Sequence, residues 1–493
     1  MKLADLVRHL PPGAELHGDP AVEIEEVAYD SRRVSAGSLF VAIRGHAVDG
    51  NQFIDAALRK GAAAVASEEP PRPDTPWVKV TNARAALATV SAALLGHPAR
   101  ELELVGVTGT NGKTTTAYMI DSALREAGET VGLLGTVEYR IGKRVAEAVR
   151  TTPEASDLQT MLRQIADAGC RRAVLEVSSH SLVLDRVHGL SFRVAAFTNL
   201  TRDHLDFHGD MDSYFAAKRI LFDSLLREDG RAVVNVDDDR GAELAQSLSR
   251  PVWTCSLSPG ADFVAEDVRL SLDGARFRTR TPAGTFDVET SLLGRFNVQN
   301  ALCAFAAGLA LDLAPDAVQR GIASLRGVPG RMERVVAGQD FVVLVDYAHT
   351  DDALKNLLEA VRELKPRRLV TVFGCGGDRD KTKRPLMGAV ATRLSDVVIL
   401  TSDNPRSEPP ESIVADIRRG IPSGRATEET AVVLDRREAI ARALELGREG
   451  VVVVIAGKGH ETSQVLRDRT VPFDDRQVVR EVLSRLAGAG GKR

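Results

Sequence analysis

The residues best suited to chemistry form a glycine-rich loop that follows an apolar, strand-like run. The loop reads TGTNGKT over residues 108–114. Lys113 and Thr114 fill the lysine and hydroxyl positions of the phosphate-loop pattern, and Val107 stands where that pattern has its first glycine. Backbone N–H groups at a helix start can surround phosphate oxygens, the lysine can reach the β- and γ-phosphates, and the hydroxyl can hold Mg²⁺. We therefore predict a variant phosphate-binding loop rather than a plain glycine-rich turn.

Ionisable side chains also follow two later strand-like runs. Glu176 lies at the end of the run RAVLEV, and Lys218 lies in the apolar helix-like segment YFAAKRILF. The loop between them carries several potential ligands and proton carriers, which are Asp203, His204, Asp206 and His208. Glu176 suits a Mg²⁺ ligand or an ordinary hydrogen-bond acceptor, loop His and Asp residues are often caps, and an apolar-helix lysine often extends to solvent. From the residue types alone, both interpretations stay open.

These groups need a sheet to position them, and the pattern of the middle of the chain predicts one. A strand-like run, the phosphate loop and an amphipathic helix pattern follow one another from about residue 99. Further strand-like runs at 172–177, 194–200 and 231–236 are separated by helix-length segments. This alternation is typical of a mostly parallel sheet, in which the strands' carboxyl ends share one edge. We therefore predict a central α/β domain with a phosphate-binding loop over residues 99–329.

The two ends of the chain have patterns of their own. Short apolar runs and turns over residues 1–98 predict a small N-terminal α/β domain. From residue 330 the alternation restarts, and strand-like runs at 367–374, 396–401 and 451–457 predict a C-terminal Rossmann-like domain over 330–493. The first strand of that domain has no GxGxxG loop after it, so we do not expect a dinucleotide there. The expected fold is α/β with three domains.

Composition narrows the class of protein. The 493 residues are 44% hydrophobic and 27% charged, with a net charge of −4, so no overall positive field favours nucleic acid or anionic lipid. The four cysteines include no CxxC pair, which is typical of free thiols in a reducing compartment. The N-terminus has no long apolar segment, and no run is long enough to span a bilayer. We expect a cytoplasmic protein that binds small molecules and neither binds nucleic acid nor inserts into a membrane.

A set of segments, in order from about residue 29 to 476, identifies a family resemblance. The segments are TGTNGKTTT, LEVSSH, NLTRDHLDFHGDMDSYFAAK, LLGRFNVQNALCA, PGRMERV, DYAHTDDAL, FGCGGDRDKTKRPLMG, SDNPRSE and AGKGHE. Together they resemble the Mur ligases, ATP-dependent enzymes that add amino acids to the peptidoglycan precursor, and in particular the members that add the third amino acid. Folylpolyglutamate synthetases share the loop and the three-domain plan, but not the N-terminal and C-terminal segments as a set.

The resemblance implies a catalytic group and its chemistry. Lys113, Glu176, His204 and Lys218 match catalytic positions, and the lysine matching Lys218 is carbamylated in the family (N6-carboxylysine). The implied ligands of Mg²⁺, with two ions expected, are Thr114, Glu176, His204 and the Lys218 carbamate. The γ-phosphoryl group of ATP would move to a carboxylate, and an amine would attack the resulting acyl phosphate to give an amide, ADP and phosphate.

The same resemblance implies two substrate sites. The residues matching the ATP site are Gly109, Thr110, Asn111, Gly112, Lys113, Thr114, Thr115, Asn300, Arg331, Asp346 and His349. Those matching the site for UDP-N-acetylmuramoyl-L-alanyl-D-glutamate are Ser31, His46, Thr151, Thr152, Ser178 and Arg186. Leu184 stands where the family often has Gln, so one polar contact of the family is missing.

The segment DNPR bears on the amino acid that is added. Relatives that add meso-diaminopimelate have an arginine at the position of Arg406, and lysine-adding relatives typically lack it. A guanidinium matches the distal carboxylate of diaminopimelate in two-point geometry, whereas lysine has no such group. The further matching positions are Arg379, Asp403, Asn404, Pro405, Gly457 and Glu461. We therefore expect a monomeric meso-diaminopimelate-adding ligase. The alternatives are a lysine-adding or folylpolyglutamate-type ligase and, from another class, a phosphate-loop NTPase regulator.

Overall fold

The computed structural model describes residues 1–45, 48–422, 424 and 429–490, with the main chain alone over 487–490. The chain forms an N-terminal, a central and a C-terminal sheet, each covered by helices. The α/β class and the three-domain plan predicted from the sequence are confirmed. His46, predicted to help bind the sugar nucleotide, lies outside the described residues.

The N-terminal sheet is small and buried at its centre. Its strands are β1 (Glu15–His17), β2 (Glu26–Ala28), β3 (Ser38–Val41), β4 (Ala64–Ser67) and β5 (Trp77–Lys79). They are ordered β1-β5-β4-β3-β2, with β1 antiparallel to β5 and the other pairs parallel. The helices are α1 (Leu3–Val7), α2 (Ile54–Arg59) and α3 (Ala83–Leu94). Every residue of β3 and β4 is buried, as the continuous apolar runs predict for parallel strands covered on both faces.

The central sheet carries the phosphate loop at the end of its first strand. Its strands are β6 (Glu103–Thr108), β7 (Val131–Leu134), β8 (Glu138–Ile141), β9 (Arg144–Glu147), β10 (Arg172–Glu176), β11 (Phe192–Phe197), β12 (Leu226–Asn235), β13 (Val252–Ser256), β14 (Phe263–Ser271), β15 (Gly274–Thr281) and β16 (Gly284–Thr290). The order is β16-β15-β14-β13-β12-β11-β6-β10-β7-β8-β9. From β14 to β7 neighbouring strands are parallel, so β6, β10 and β11 end at one edge.

The flanks of this sheet are antiparallel, which the sequence analysis did not predict. Strands β8 and β9 form a hairpin next to β7, and β14, β15 and β16 form a meander at the other edge. Along β15 buried and exposed residues alternate, because one face of the meander packs inward and the other faces solvent. The prediction of a mostly parallel sheet therefore holds for the centre of the sheet and misses both edges.

Two helices of the central domain pack on the helix that follows its first strand. The helices of this domain are α4 (Lys113–Glu126), α5 (Ala155–Asp167), α6 (Ser179–Val183), α7 (Leu205–His208), α8 (Met211–Ile220), α9 (Asp239–Ser247), α10 (Arg295–Ala310) and α11 (Pro315–Ser324). Helices α10 and α11 both pack on α4. At Gly321 of α11 a Cβ atom would lie 2.3 Å from Ala123 Cα of α4, so the two helix backbones are almost in contact. This packing fixes the helix whose N-terminus carries the phosphate loop.

The C-terminal domain is a doubly wound sheet. Its strands are β17 (Glu333–Arg334), β18 (Val342–Asp346), β19 (Arg368–Phe373), β20 (Val397–Leu400), β21 (Thr430–Val432) and β22 (Val451–Ala456), and β23 (Ser463–Val465) pairs with β24 (Thr470–Pro472). The order is β17-β18-β22-β19-β20-β21, parallel except for β17. The helices are α12 (Asp351–Glu363), α13 (Lys383–Leu394), α14 (Pro410–Arg418), α15 (Arg436–Glu445) and α16 (Asp475–Gly490). The predicted Rossmann-like arrangement is confirmed.

Side chains join the domains at a few points. Tyr29 of the N-terminal domain donates to Asp157 of α5 at 2.9 Å. Arg202, in the loop after β11, lies 3.3 Å from Asp380 of the C-terminal domain. The four cysteines lie in the described part of the chain, as buried free thiols. Among the described residues, no helix combines the length and the apolar character needed to cross a membrane.

Candidate active site

The phosphate loop connects β6 to α4 with a left-handed residue at the helix start. Gly112 has φ 84° and precedes Lys113, the first residue of α4. A Cβ atom at Gly112 would lie 2.4 Å from Asn300 Oδ1, so the position requires glycine for both reasons. The Lys113 ammonium folds back over the loop and donates to Gly109 O at 2.9 Å and Thr110 O at 2.8 Å. The Lys113 side chain therefore lies over the loop at the N-terminus of α4.

A second lysine reaches the same loop from α8. Lys218 Nζ donates to Gly109 O at 2.8 Å and lies 4.5 Å from the centre of the Tyr214 ring. Its residue is only 1% exposed, so the alternative of an outward-reaching lysine is wrong. Burial, followed by the neighbouring Lys113 charge, holds the pKa of Lys218 well below its usual value. The amine of Lys218 is therefore biased towards its neutral form.

Glu176 ends β10 directly beside the phosphate loop. Its Oε2 accepts from Thr114 Oγ1 at 2.9 Å, and its Oε1 accepts from Thr136 N at 2.8 Å. The residue is 1% exposed. A carboxylate and a hydroxyl are hard oxygen ligands, and Mg²⁺ is commonly held by one or two carboxylates together with substrate phosphates. The pair of Glu176 and Thr114 therefore fits a Mg²⁺ ion that also contacts a nucleotide.

His204 belongs to a group of histidines beside α6 and α7. Its ring centre lies 4.8 Å from that of His180, and its Nε2 lies 3.4 Å from Asp203 Oδ2. Desolvation lowers the pKa of His204, and it lowers that of His180 to about 4. Both rings are therefore neutral near pH 7 and keep a lone pair for a ligand. The sequence analysis missed His180, although it is the final residue of the quoted segment LEVSSH.

In the described part of the chain, acidic and histidine side chains alone do not form a complete metal site. Across the described ranges, no three His, Cys, Asp or Glu side chains are grouped as metal ligands. Glu176, His204 and Lys218 surround the phosphate loop from separate elements, and Lys218 carries no oxygen in its unmodified form. Any metal there needs further oxygen ligands, which nucleotide phosphates or a modified lysine can supply.

A cleft of about 510 Å³ opens between the central and C-terminal domains. Its lining includes most residues predicted for ATP, namely Thr110, Asn111, Gly112, Lys113, Thr114, Thr115, Asn300, Arg331, Asp346 and His349. Glu176, His204 and Thr151 line it as well. Residues from both domains therefore enclose one space at the phosphate loop.

The C-terminal side of the cleft is ordered by β18 and the loop after it. Asp346 accepts from the backbone N–H groups of Met332 and Ala348, both at 2.7 Å. Arg331 Nη2 lies 3.2 Å from Thr114 Oγ1 and its guanidinium lies over the Tyr347 ring. Burial raises the pKa of Asp346, and the Arg331 charge opposes that shift. Arg331 thus places a permanent positive charge opposite the phosphate loop.

One contact across the cleft involves a residue that the sequence analysis missed. Asn111 Nδ2 donates to Asp352 Oδ2 at 3.0 Å, which ties the phosphate loop to the first turn of α12. His349 lies just before that helix, and its Nδ1 is 2.9 Å from Tyr347 O. Burial lowers the pKa of His349. Asp352 stands in the quoted segment DYAHTDDAL, but its sequence separation from the loop left no sign of the contact.

The residues predicted to bind the peptide of the sugar nucleotide contact the backbone of Glu176. Thr152 Oγ1 donates to the backbone O of Glu176 at 2.7 Å and accepts from Ser178 N at 3.2 Å. Arg186 Nη1 donates to Thr152 O at 3.2 Å and pairs with Glu154 at 2.8 Å. Thr151 Oγ1 lies 3.1 Å from Thr136 Oγ1. Thr136 was not predicted from the sequence.

Ser31 lies in the turn between β2 and β3, and this turn is held against the central domain. Tyr29 OH and Arg33 Nη1 both bind the Asp157 carboxylate at 2.9 Å. Asp157 is in the first turn of α5, which begins directly after the segment TTPE at residues 151–154. The N-terminal turn with Ser31 is therefore brought to the same end of α5 as Thr152.

The residues predicted for the incoming amino acid form a group at the carboxyl ends of β19, β20 and β22. Asn404 Nδ2 donates to Glu461 Oε2 at 2.8 Å. A Cβ at Gly457 would lie 2.5 Å from Asp403 Oδ2, an oxygen with no hydrogen-bond partner in the described part of the chain. A Cβ at Gly376 would lie 2.9 Å from Arg406 Nη1 and 3.8 Å from Arg379 Cγ, so both arginines flank that glycine.

Lys458 is a member of this group that the sequence analysis did not assign. It is fully buried, and its Nζ donates to Asn404 Oδ1 at 3.0 Å and to Glu461 Oε2 at 2.8 Å. The amide of Asn404 also accepts from Val465 N at 3.0 Å. Lys458 stands in the segment AGKGHE, but the sequence does not show that its side chain is buried against Asn404 and Glu461.

Family models of the Mur ligases match the chain in three stretches. They are the Mur ligase family catalytic domain over residues 23–101, the Mur ligase middle domain over 107–308 and the Mur ligase glutamate ligase domain over 330–459. The matched stretches together span most of the chain and contain the phosphate loop, Glu176, Lys218 and Arg406.

Curated relatives match over nearly their whole length. A UDP-N-acetylmuramoyl-L-alanyl-D-glutamate–2,6-diaminopimelate ligase of Solibacter usitatus is 51% identical, covering 94% of each chain. The protein of that name from Geobacter metallireducens is 46% identical, covering 99% of this chain and all of the relative. A solved structure with that name has a TM-score of 0.70 and 35% identity, covering 99% of each chain. The chain belongs to the Mur ligase family.

Proposed function

We propose that the chain is an ATP-dependent amide ligase of peptidoglycan synthesis. It adds meso-diaminopimelate to UDP-N-acetylmuramoyl-L-alanyl-D-glutamate and releases the UDP-muramoyl tripeptide, ADP and phosphate. The similar relatives that carry this activity in their names match 94% and 99% of this chain. The site described above supplies the separate features that such a reaction needs.

The observation that supports the proposal most directly is that Glu176 contacts both the phosphate loop and Thr152. Its carboxylate accepts from Thr114 of the phosphate loop at 2.9 Å, and its backbone O accepts from Thr152 of the TTPE segment at 2.7 Å. A nucleotide in the loop and a peptide carboxylate beside Thr152 would therefore be neighbours. Such proximity favours in-line transfer of the γ-phosphoryl group.

The chemistry proceeds in two steps that the residues can support. An oxygen of the acceptor carboxylate attacks the γ-phosphorus, the bond to the β-phosphate oxygen breaks, and ADP leaves with that oxygen. The amine of the incoming amino acid then attacks the acyl phosphate, loses a proton and expels phosphate. Arg331 faces the phosphates with a permanent positive charge, Lys113 lies over the same loop, and closure of the cleft keeps water from the acyl phosphate.

The residues around the loop fit a Mg²⁺ requirement. Bound Mg²⁺ would neutralise the phosphates and the acceptor carboxylate. Glu176, Thr114 and His204 would hold it, together with Lys218 as a carbamate and with two ions in total. The lowered pKa of Lys218 supports this role, because only a neutral amine reacts with carbon dioxide to form the carbamate. The modification would replace a buried amine by an anionic oxygen ligand.

The remaining assignments place each substrate in its own part of the chain. ATP lies in the cleft between the domains, the sugar nucleotide against Ser31 and the TTPE segment, and diaminopimelate against Arg406 and Glu461. We set the domain boundaries at residues 98/99 and 329/330. The buried free thiols favour action in the reducing cytoplasm, and we propose that the enzyme works there as a monomer.

The test is release of phosphate from ATP in the presence of the UDP-muramoyl dipeptide and one amino acid at a time. We expect fast release with meso-diaminopimelate, slow release with L-lysine, and a tripeptide product detected by mass spectrometry. Equal rates with L-lysine would refute the amino-acid assignment. Phosphate release without any amino acid, and without an amide product, would favour an NTPase regulator instead.

A further inference from the structure

Arg406 has an unusual backbone conformation that something must stabilise. Its φ is 51°, in the left-handed region, which costs a non-glycine residue free energy. Its Nη1 donates to Gly377 O at 2.8 Å, and its backbone N donates to Val465 O at 3.1 Å. The position of the guanidinium therefore depends on the loop that contains Gly377.

Glu408, two residues after Arg406, joins that loop to the DNPR segment. Its Oε1 accepts from Asp378 N at 2.7 Å. Asp378 in turn accepts from Ser407 N at 3.1 Å and from Ser407 Oγ at 2.6 Å. The two loops are thus joined at Ser407 and at Glu408. A Cβ at Gly377 would lie 1.9 Å from Pro405 O, which shows how closely their backbones approach.

The carboxylate of Glu408 is itself fixed by a buried guanidinium. Arg384 of α13 is fully buried and donates to Glu408 Oε1 at 2.9 Å and to Oε2 at 3.0 Å. The same guanidinium donates to Gly376 O at 3.2 Å and pairs with Asp416 of α14 at 2.9 Å. A two-point ion pair of this kind has a defined geometry and is stronger than a neutral hydrogen bond.

We propose that Glu408 is a positioning residue that holds Arg406 where its guanidinium meets the distal carboxylate of the incoming amino acid. The inference rests on the proposed function and deepens it, because it concerns how the amino-acid site selects its substrate. Glu408 lies behind Arg406, in contact with Arg384, Lys381 and Asp378. It therefore acts through Arg406 and touches no reacting group.

The experiment measures phosphate release with the UDP-muramoyl dipeptide while meso-diaminopimelate is varied. In Glu408→Gln we expect KM for meso-diaminopimelate to rise about tenfold, the effect of weakening a charge-assisted hydrogen bond, while kcat and KM for ATP stay unchanged. Glu411→Gln is the matched control, because Glu411 is a nearby exposed acid in the first turn of α14. It should behave as the wild type.

A double-mutant cycle separates positioning from a general structural effect. If Glu408 acts through Arg406, Glu408→Gln raises KM in the wild-type background and adds nothing in the Arg406→Ala background. Equal increases in both backgrounds, or an unchanged KM in the single variant, would overturn the inference. A wild-type enzyme without diaminopimelate-dependent phosphate release would instead refute the proposed function.

Ser407→Ala covers the case in which Glu408→Gln does not fold. Ser407 lies at the exposed end of the same network, and the variant loses the 2.6 Å bond to Asp378. We expect KM for meso-diaminopimelate to rise about threefold, as for loss of a weaker neutral-donor bond. An unchanged KM in this variant would then count against the network.

Discussion

Two lysines donate to one carbonyl oxygen, and this arrangement explains the chemistry expected of the second. Lys113 and Lys218 both bind Gly109 O, at 2.9 and 2.8 Å. Two buried ammonium groups so close together repel each other, and burial penalises both. The pKa of Lys218 is therefore well below its usual value, with burial the larger cause. A neutral amine beside a phosphate site is the form that carbon dioxide can modify.

Replacing Lys218 tests this role. In Lys218→Ala we expect kcat to fall by about a hundredfold or more, the usual scale for losing a group that stabilises transition-state charge. Small carboxylic acids such as formate should restore part of the phosphate release, because they replace the carbamate oxygens. Arg219→Ala is the control, since Arg219 is paired with Asp223 at 3.2 Å away from the loop. Normal turnover in Lys218→Ala would contradict the carbamate assignment.

The contribution of Glu408 to the free energy of unfolding should depend on pH. Its hydrogen bonds, first of all with Arg384, lower the pKa of its carboxyl from 4.5 to about 2. A depressed folded-state pKa stabilises the fold above the unfolded value and loses that effect as pH falls towards the folded value. We therefore expect the gap in unfolding free energy between wild type and Glu408→Gln to shrink between pH 4.5 and about pH 2. Urea titrations at several pH values measure it, and a constant gap would contradict the assignment.

At the scale of elements, the helix of the phosphate loop is held by a close helix pair. Gly321 of α11 faces the backbone of α4, where a Cβ would lie 2.3 Å from Ala123 Cα and 2.6 Å from Ala123 N. Backbone atoms move less readily than the end of a side chain. Any larger residue at 321 must therefore separate the two helices.

The variant Gly321→Ala should destabilise the fold by about 1–3 kcal/mol, the usual cost of overpacking a core. Because α4 carries Lys113 at its first position, KM for ATP should rise as well. Gly327→Ala is the control, since a Cβ there meets no atom within 4 Å. Urea unfolding and ATP titration provide the measurements, and wild-type stability would show that the helices can separate freely.

The elements also show what the sequence could predict. Continuous apolar runs such as VVVVIA predicted buried parallel strands correctly, because both faces of β22 are covered. The hairpin of β8 and β9 was missed, since both strands are short and carry charged residues, and β9 is largely exposed. The phosphate loop, Glu176 and Lys218 were found through local pattern and family resemblance. The Asn111–Asp352 contact was not, because the two residues are 241 positions apart and belong to different domains.

At the scale of the whole molecule, the cleft depends on contacts between the central and C-terminal domains. Arg202 lies 3.3 Å from Asp380 and also binds Thr382 Oγ1. Arg331 reaches Thr114 at 3.2 Å across the same cleft. Beside these polar contacts, Leu293 and Phe296 of the central domain pack against the apolar core of the C-terminal domain.

Loss of Arg202 should therefore favour an open arrangement. In Arg202→Ala we expect kcat to fall severalfold and the radius of gyration with bound ATP to rise, while the unfolding free energy changes by less than about 1 kcal/mol, as for other exposed ion pairs. Small-angle X-ray scattering and phosphate release measure these effects. Arg227→Ala removes a surface pair within the central domain and should change neither. A wild-type radius and rate would show that this contact does not hold the domains together.

The two hydrogen-bonding groups of Glu176, its carboxylate and its backbone oxygen, suggest where an inhibitor could bind. Its carboxylate faces Thr114 and its backbone oxygen faces Thr152, so under the proposed function this residue borders both the nucleotide and the acceptor regions. A compound bound beside Glu176 would compete with both the nucleotide and the acceptor. Mutations that weaken its binding there would also impair turnover, so this position offers few routes to drug resistance.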